Sequence, residues 1–188
     1  MKKILKVFMV LLLISLSACA KEAEEEIVEE EKVLEVGLNE RLETMFFAYK
    51  VNEAYLIPEL NKMLPEEGKQ FLVLDITVEN IDDAESEEAK ELKMIDTDFY
   101  LSYNGGEIDA LSAYGSDPLV EGELPSQYEI EPGMSNSGKM VFVVPMEETS
   151  FALKTQDLYT SSAEEGVIEG DIYSINFTPE QREVSEEE

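Results

Sequence analysis

An alternation of apolar and polar residues runs through most of the chain after residue 32 and predicts strands rather than helices. The clearest example is residues 70–80 (QFLVLDITVEN), in which four apolar side chains fall on one face: Leu72, Leu74, Ile76 and Val78. Because the side chains of a strand alternate between its two faces, this face is predicted to lie in the core. Residues 138–145 (GKMVFVVP) are apolar on both faces, which predicts a central strand whose second face is partly covered by a neighbouring loop.

The segments between these strands contain residues that turn the chain. The NGG sequence at 104–106 predicts a hairpin turn, the Pro-Gly pair at 132–133 predicts another turn, and Pro145 predicts the end of a strand. Residues 55–64 contain helix-forming side chains around Pro58, so at most a short helix or helical turn is expected there. Further strands are predicted at residues 32–38, 44–51, 91–95, 98–103, 127–131, 150–155 and 171–177.

Together these segments predict an all-β, immunoglobulin-like antiparallel β-sandwich of about seven to nine strands. The chain has no Trp and only one Cys, so the antibody type of domain, with its disulfide between the sheets, is excluded. The length corresponds to a single domain, which buries enough surface to fold without disulfides.

The chain is strongly acidic, with 14 Lys+Arg against 43 Asp+Glu and a net charge of −29. Such a surface repels phosphates, so we predict no nucleic-acid partner. Many of the acidic residues lie in residues 21–32, 82–91 and 185–188, which we interpret as a tether, a loop and a tail in contact with solvent.

Lys2 and Lys3 precede an apolar run that is shorter than the ~20 residues of a membrane span, and the run ends in LSAC at residues 16–19. These first 19 residues resemble the signal segment of prokaryotic lipoprotein precursors. In that family the Cys thiol receives a diacylglyceryl group, and cleavage before the Cys makes it the new N-terminus. A thiol is nucleophilic enough for this reaction, and two acyl chains anchor a protein stably. The alternative is a plain secretory signal in which Cys19 occurs by chance.

The resemblance divides the chain into four parts. Residues 1–18 are predicted to be a lipoprotein signal peptide that is removed, and residues 19–32 a lipidated Cys19 with an acidic disordered tether. Residues 33–178 form the predicted sandwich, and residues 179–188 an acidic disordered tail. The predicted location is the cell membrane, with the domain lipid-anchored on the extracytoplasmic side.

Two segments extend the resemblance to the domain. They are residues 68–80 (GKQFLVLDITVEN) and residues 130–155 (IEPGMSNSGKMVFVVPMEETSFALKT). With the lipoprotein signal, they resemble the telokin-like, immunoglobulin-like domain family of prokaryotic extracytoplasmic lipoproteins. This family is largely of unknown function and is related in fold to a secreted mycobacterial immunoprotective antigen. The resemblance implies a fold and a location but no activity. A particular function is expected in two loops that depart from the family pattern, after Asn80 and at residues 112–126.

Little in the sequence indicates catalysis. The absence of His excludes a Ser-His-Asp triad and a His-ligated metal, and there is no phosphate-binding loop. Paired carboxylates are available, but the Trp platforms of many glycosidase clefts are missing. We therefore predict that the protein is not an enzyme and has no cofactor, with calcium as the one metal to consider. Its weak candidate ligands are Asp82, Asp83, Asp96 and Asp98, which do not follow EF-hand spacing and are more typical of solvated acidic loops.

The sequence contains a glycosylation pattern and several tyrosines near predicted turns, and it leaves three functional hypotheses. Asn176 begins an Asn-Phe-Thr glycosylation pattern, and Tyr100, Tyr103 and Tyr114 lie near predicted turns. The leading hypothesis is a lipid-anchored, non-catalytic domain that binds an unknown surface protein or polymer through its loops. The alternative is a calcium- or solute-binding accessory lipoprotein of a transporter or sensor, and an enzyme with paired acids in a deep pocket is a third.

Overall fold

The computed structural model of the protein describes residues 32–104, 106–110, 118–160 and 167–183. Within these residues the chain forms twelve strands: β1 (Val33–Gly37), β2 (Leu42–Glu43), β3 (Phe47–Ile57), β4 (Lys69–Asn80), β5 (Leu92–Ile95), β6 (Tyr100–Tyr103), β7 (Gly106–Asp109), β8 (Gln127–Ile130), β9 (Ser135–Pro145), β10 (Phe151–Thr160), β11 (Val167–Phe177) and β12 (Glu180–Gln181). A 3₁₀ turn at Asp96–Asp98 joins β5 to β6. Among the described residues, none lies in a helix long and apolar enough to cross a bilayer.

The strands form two large sheets and one small ribbon. The first sheet has the order β1-β11-β10-β6-β7, and the second has the order β12-β3-β4-β9 with β2 beside β3. The ribbon consists of β5 and β8. The predicted all-β sandwich is confirmed, although the described residues contain more strands than expected. The predicted antiparallel pairing also has two exceptions, because β1 runs parallel to β11 and β12 runs parallel to β3.

The main core lies between the two sheets. The four alternating side chains of β4 are fully buried, as predicted, and they pack in one cluster with Leu153 of β10 and Ile175 of β11. Burying each of these side chains stabilises the fold by roughly 1.5–3 kcal/mol. Tyr49 and Phe99 add an aromatic contact with ring centroids 5.1 Å apart.

Strand β9 lies at the end of its sheet and not at the centre, so the predicted central position is wrong. Its second apolar face is nevertheless covered by a loop, as predicted, because Leu119 and Val120 pack over a small cluster on the outer face of the sheet. The same loop approaches the strand edge, where the Lys139 N–H donates to the Gly122 carbonyl at 2.8 Å. An added Cβ at Gly138 would lie 2.8 Å from the Gly122 oxygen and from the Leu124 side chain, so this approach requires glycine.

Residues 55–64 contain no helical turn, which corrects the prediction for this segment. Strand β3 continues to Ile57 and stops before Pro58, whose ring nitrogen cannot donate a ladder hydrogen bond. The chain then makes a tight turn in which Leu60 and Met63 exchange backbone hydrogen bonds of 3.1 and 2.7 Å. The φ angles of the two central residues are positive, at 48° and 64°, as a hairpin turn of this length requires.

The described part of the predicted tail returns to the second sheet. Glu180 and Gln181 form β12 beside Tyr55 and Leu56 of β3. The Arg182 guanidinium lies 3.9 Å from the centre of the Tyr55 ring and forms an ion pair with Glu53. The sandwich therefore extends a few residues beyond the expected boundary at 178.

Candidate functional site

A groove lies at one end of the sandwich, beside the β5–β8 ribbon and the far end of β10. Its larger part is a cavity of about 360 Å³ with apolar side chains (Phe46, Phe47, Leu92, Met94 and Leu158) and polar ones (Thr97, Asp98, Thr155, Gln156 and Asp157). A second cavity of about 350 Å³ adjoins it and adds Glu107, Ile108 and Asp109 of β7. The two cavities share Thr97, Tyr100 and Gln156, and together we call them the end groove.

Asp157 is a buried carboxylate in the wall of the end groove. It lies at a β-bulge, because the register of β10 and β11 shifts between Gln156 and Leu158, so that Gly170 and Asp171 both lie opposite Asp157. The additional residue of the bulge is in β11, and Asp157 continues the inward alternation of β10, where it is only 4% exposed. Its Oδ2 accepts hydrogen bonds from the Tyr173 hydroxyl at 2.8 Å and from the Met45 backbone N–H at 3.3 Å.

Tyr173 is held as a neutral donor by these surroundings. Burial of the phenol raises the pKa of Tyr173, and its hydrogen bond to Asp157 and the negative charge there raise it further. The hydroxyl therefore stays protonated and keeps one lone pair of Asp157 occupied across the physiological pH range.

Asp98 is the second carboxylate of the larger cavity. Its Oδ2 accepts the Ile95 backbone N–H at 2.8 Å, which closes the 3₁₀ turn on β5. Partial burial raises the pKa of Asp98, the hydrogen bond from Ile95 partly offsets that effect, and the neighbouring Asp96 adds to it.

Thr155 is a third polar group in the wall. It is 4% exposed and lines the larger cavity. No buried side-chain nitrogen or oxygen among the described residues lacks a hydrogen-bond partner, so the wall contains no orphaned polar group.

The mouth of the end groove has an apolar rim. Phe46 is 43% exposed and Leu158 is 57% exposed, although both are apolar. Phe46 lies in the turn between β2 and β3, which is held by Thr44, whose Oγ1 accepts the backbone N–H groups of Phe46 and Phe47 at 3.1 Å each. Leu158 faces outward because it follows Asp157 in the strand and alternation places successive side chains on opposite faces.

Asn80 positions the ribbon that forms one side of the groove. It is 1% exposed at the end of β4, and its Nδ2 donates to the Lys90 carbonyl at 2.8 Å and to the Ile130 carbonyl at 2.9 Å. Its Oδ1 accepts the Asp82 N–H at 3.0 Å. The side chain therefore connects the chain just before β5, the end of β8 and the acidic loop.

The four candidate calcium ligands have different local roles. Asp82 Oδ2 accepts the Lys90 N–H at 3.0 Å, and Asp83 Oδ1 accepts the Glu85 N–H at 3.0 Å, so both shape the acidic loop. Asp98 lies in the end groove, and Asp96 begins the same 3₁₀ turn. No group of three or more acidic, His or Cys side chains that could hold a metal ion occurs among the described residues.

The tyrosines, the asparagine and the cysteine named in the sequence analysis either lie on described strands or fall outside the described residues. Tyr100 lines both parts of the end groove, whereas the Tyr103 ring packs 6.4 Å from that of Phe151. Asn176 is exposed on β11. Cys19, with all of residues 1–31, and Tyr114 lie outside the described residues.

Sequence reasoning missed the main polar groups of the end groove because it ended this strand at Thr155. A signal was present. The inward positions Phe151, Leu153 and Thr155 continue by alternation to Asp157, and the apolar Leu158 falls on the outer face. A strand with an inward carboxylate and an outward leucine departs from the usual pattern, and such departures are typical of functional sites.

The solved structures that are similar to this chain include three proteins from Clostridium and Bacillus species. An uncharacterized β-sandwich protein from Clostridium difficile 630 has a TM-score of 0.43 at 16% identity, over 80% of this chain and 97% of its own. The yjhA protein from Bacillus subtilis has a TM-score of 0.47 at 13% identity, over 74% of this chain and 98% of its own. A conserved hypothetical protein from Bacillus anthracis has a TM-score of 0.38 at 14% identity, over 62% of this chain and 87% of its own.

No curated protein matches the chain. One family model matches residues 36–165, which is more than half of the sequence and includes the lining residues of both cavities of the end groove. The chain therefore belongs to the family described as Domain of unknown function (DUF4352).

Proposed function

We propose that the protein is a lipid-anchored, extracytoplasmic binding domain that holds a component of the cell envelope in its end groove. The observation that carries the proposal is the combination of an exposed apolar rim, Phe46 and Leu158, with a partly buried polar wall that contains Thr155 and Asp157. Concave sites that combine apolar surface with a few fixed polar groups are typical of ligand binding. The finer resemblance to telokin-like, immunoglobulin-like lipoproteins is part of this proposal.

The roles of the carboxylates support binding over catalysis. Asp157 Oδ2 already accepts two hydrogen bonds, and Asp98 Oδ2 closes a backbone turn. A general acid or base must be able to reach the proton of a substrate, whereas these oxygens hold the shape of the wall. We therefore assign the two carboxylates to the fixed electrostatics of a binding site.

The proposed anchor is Cys19, on the basis of the LSAC sequence and the basic, apolar segment before it. The described chain begins at the groove end of the first sheet. Val33 pairs with Ile172, which also pairs with Gln156 of the end groove. A tether of residues 19–32 reaches at most about 50 Å when extended, so the ligand we propose lies at or near the membrane surface.

The anchor is tested by metabolic labelling with a radioactive fatty acid. We expect label on the wild-type protein and none on Cys19→Ser, since serine cannot form the thioether. Label that persists on Cys19→Ser, or no label on either protein, would contradict the anchor.

The binding site is tested with a pair of matched variants. Leu158 and Met146 are 57% and 58% exposed, but Leu158 is on the groove rim and Met146 follows β9 at the opposite end of the sandwich. We expect affinity capture from envelope extracts by full-length wild type and by Met146→Asp to recover the same component, and Leu158→Asp to lose it. Recovery by all three proteins alike would show that the end groove is not the binding site.

A further inference from the structure

The charge of the end groove restricts what can occupy it. Its lining contains four carboxylates, which are Asp98, Asp157, Glu107 and Asp109. The one basic side chain of the described lining is Lys93, whose Nζ is 3.0 Å from Glu129 and is therefore already compensated. Asp98 and Asp157 are partly or fully buried and strengthen the local negative potential because the protein screens them less than water does, whereas Glu107 and Asp109 are exposed. An occupant with a positive charge is favoured.

The rim indicates that the occupant also has apolar side chains. A bare metal ion gains nothing from Phe46 and Leu158, which are exposed around the mouth. An aliphatic or aromatic side chain packed on them would remove apolar surface from water, and the Phe46 ring face can also attract a Lys or Arg cation.

The shape and the neighbouring backbone favour an extended chain. The two cavities are joined along Thr97, Tyr100 and Gln156, so the site is elongated. Strand β7 borders the smaller cavity and is the last strand of its sheet within the described residues, where it pairs only with β6. Its outer backbone groups can pair with an added strand, as in other domains that bind peptides at a sheet edge.

From these observations, and resting on the binding function proposed above, we propose that the end groove binds an extended peptide segment of a partner protein in which Lys or Arg residues alternate with apolar side chains. The basic side chains face the carboxylates of the groove, and the apolar side chains pack on Phe46 and Leu158.

The test uses a defined peptide and isothermal titration calorimetry. The full-length protein in non-ionic detergent is titrated with acetylated, amidated Lys-Phe-Lys-Leu-Lys-Phe, and detergent alone gives the reference heat. Two further probes are the charge-reversed peptide, with Glu in place of Lys, and spermine. We expect only the basic peptide to bind measurably, and its affinity to fall as salt is raised from 50 to 500 mM because salt screens the charges.

Two charge variants assign the binding to the groove. Glu107→Gln with Asp109→Asn removes two exposed carboxylates of the groove, and Glu67→Gln with Glu147→Gln removes two at the opposite end of the sandwich. Both proteins change net charge equally. We expect the groove pair to weaken peptide binding by about fivefold to tenfold at 50 mM salt and the control pair to leave it within about twofold.

The results that would overturn the peptide proposal differ from those that would overturn the proposed binding function. Equal effects of the two charge pairs, equal affinity for the charge-reversed peptide, or equal affinity for spermine would overturn the basic, apolar peptide as occupant. If capture from extracts depends on Leu158 but recovers a polysaccharide or an acidic protein, the binding function stands and the peptide proposal fails. If capture does not depend on Leu158, the binding function itself fails.

Discussion

Replacing Asn80 by Ala should destabilise the sandwich more than its small change in volume suggests. The Asn80 side chain makes three hydrogen bonds of 2.8, 2.9 and 3.0 Å, and it is almost completely buried. Each bond contributes about 0.5–1.5 kcal/mol, and a buried group left without a partner costs about 1–3 kcal/mol. The Ile130 carbonyl lies in a buried residue and would lose such a partner. We therefore expect a loss of about 3 kcal/mol in the free energy of unfolding.

The measurement is thermal unfolding followed by far-UV circular dichroism, with chemical denaturation as a second probe. For a domain of this size each kcal/mol shifts the midpoint by about 2–4 °C, so the expected decrease is about 6–12 °C. Asn136→Ala is the matched control, because Asn136 is on β9 and its side chain makes no hydrogen bond with the described residues. A shift for Asn80→Ala no larger than that of Asn136→Ala would refute the reasoning. Because Asn80 holds the ribbon beside the groove, Asn80→Ala is also expected to weaken binding there.

Three further variants test other parts of the structure. Gly138→Ala should lower the free energy of unfolding by about 1–3 kcal/mol in chemical denaturation, because its Cβ would lie 2.8 Å from backbone and side-chain atoms, whereas the control Gly37→Ala should change it little, since its nearest contact is at 3.6 Å. Asp98→Asn should flatten the pH dependence of stability. The pKa of Asp98 is raised in the folded protein, so the wild type loses stability as the pH rises from the unfolded pKa through the folded one and Asp98 ionises. Asp98→Asn should therefore be more stable than wild type at pH 7 and equally stable below about pH 4, where Asp98 is protonated in both states. Tyr173→Phe should lower the free energy of unfolding by about 1.5–3 kcal/mol, because it removes a hydrogen bond to a buried carboxylate. If Tyr173→Phe lowers it by the same amount in the Asp157→Asn background, the two side chains are not coupled.

The core of the sandwich was predictable because its signal is local. Four alternating apolar residues on β4 require one buried face, and the structure has that face at the centre of the core. The position of β9 was not predictable from the same kind of signal. Its second apolar face suggested a central strand, but the cover comes from Leu119 and Val120, which are distant in sequence and return along the strand edge. Period-two patterns identify buried faces and do not identify what buries them.

The same limit explains what was missed at the groove and at the ends of the sandwich. The parallel partners of β1 and β12 are set by tertiary packing, and no pattern in either short segment specifies them. The bulge opposite Asp157 depends on one additional residue in the facing strand, so it becomes visible only when both strands are aligned, although alternation along β10 alone indicates the inward carboxylate. By contrast, the hairpin predicted from Asn104 and the following glycines is confirmed, since Tyr103 pairs with Gly106.

The parallel pairing of β1 with β11 has a mechanical consequence. Strand β1 is the first described strand, and its five residues, from Val33 to Gly37, are all in register with β11. A pull on Lys32 away from the domain and along the strand axis loads these ladder hydrogen bonds together, in shear, so that they cannot open one after another. The first strand can therefore carry tension into the sandwich without peeling away from it. If the chain is held at a surface through Cys19, drag on the domain is met by the whole length of that strand.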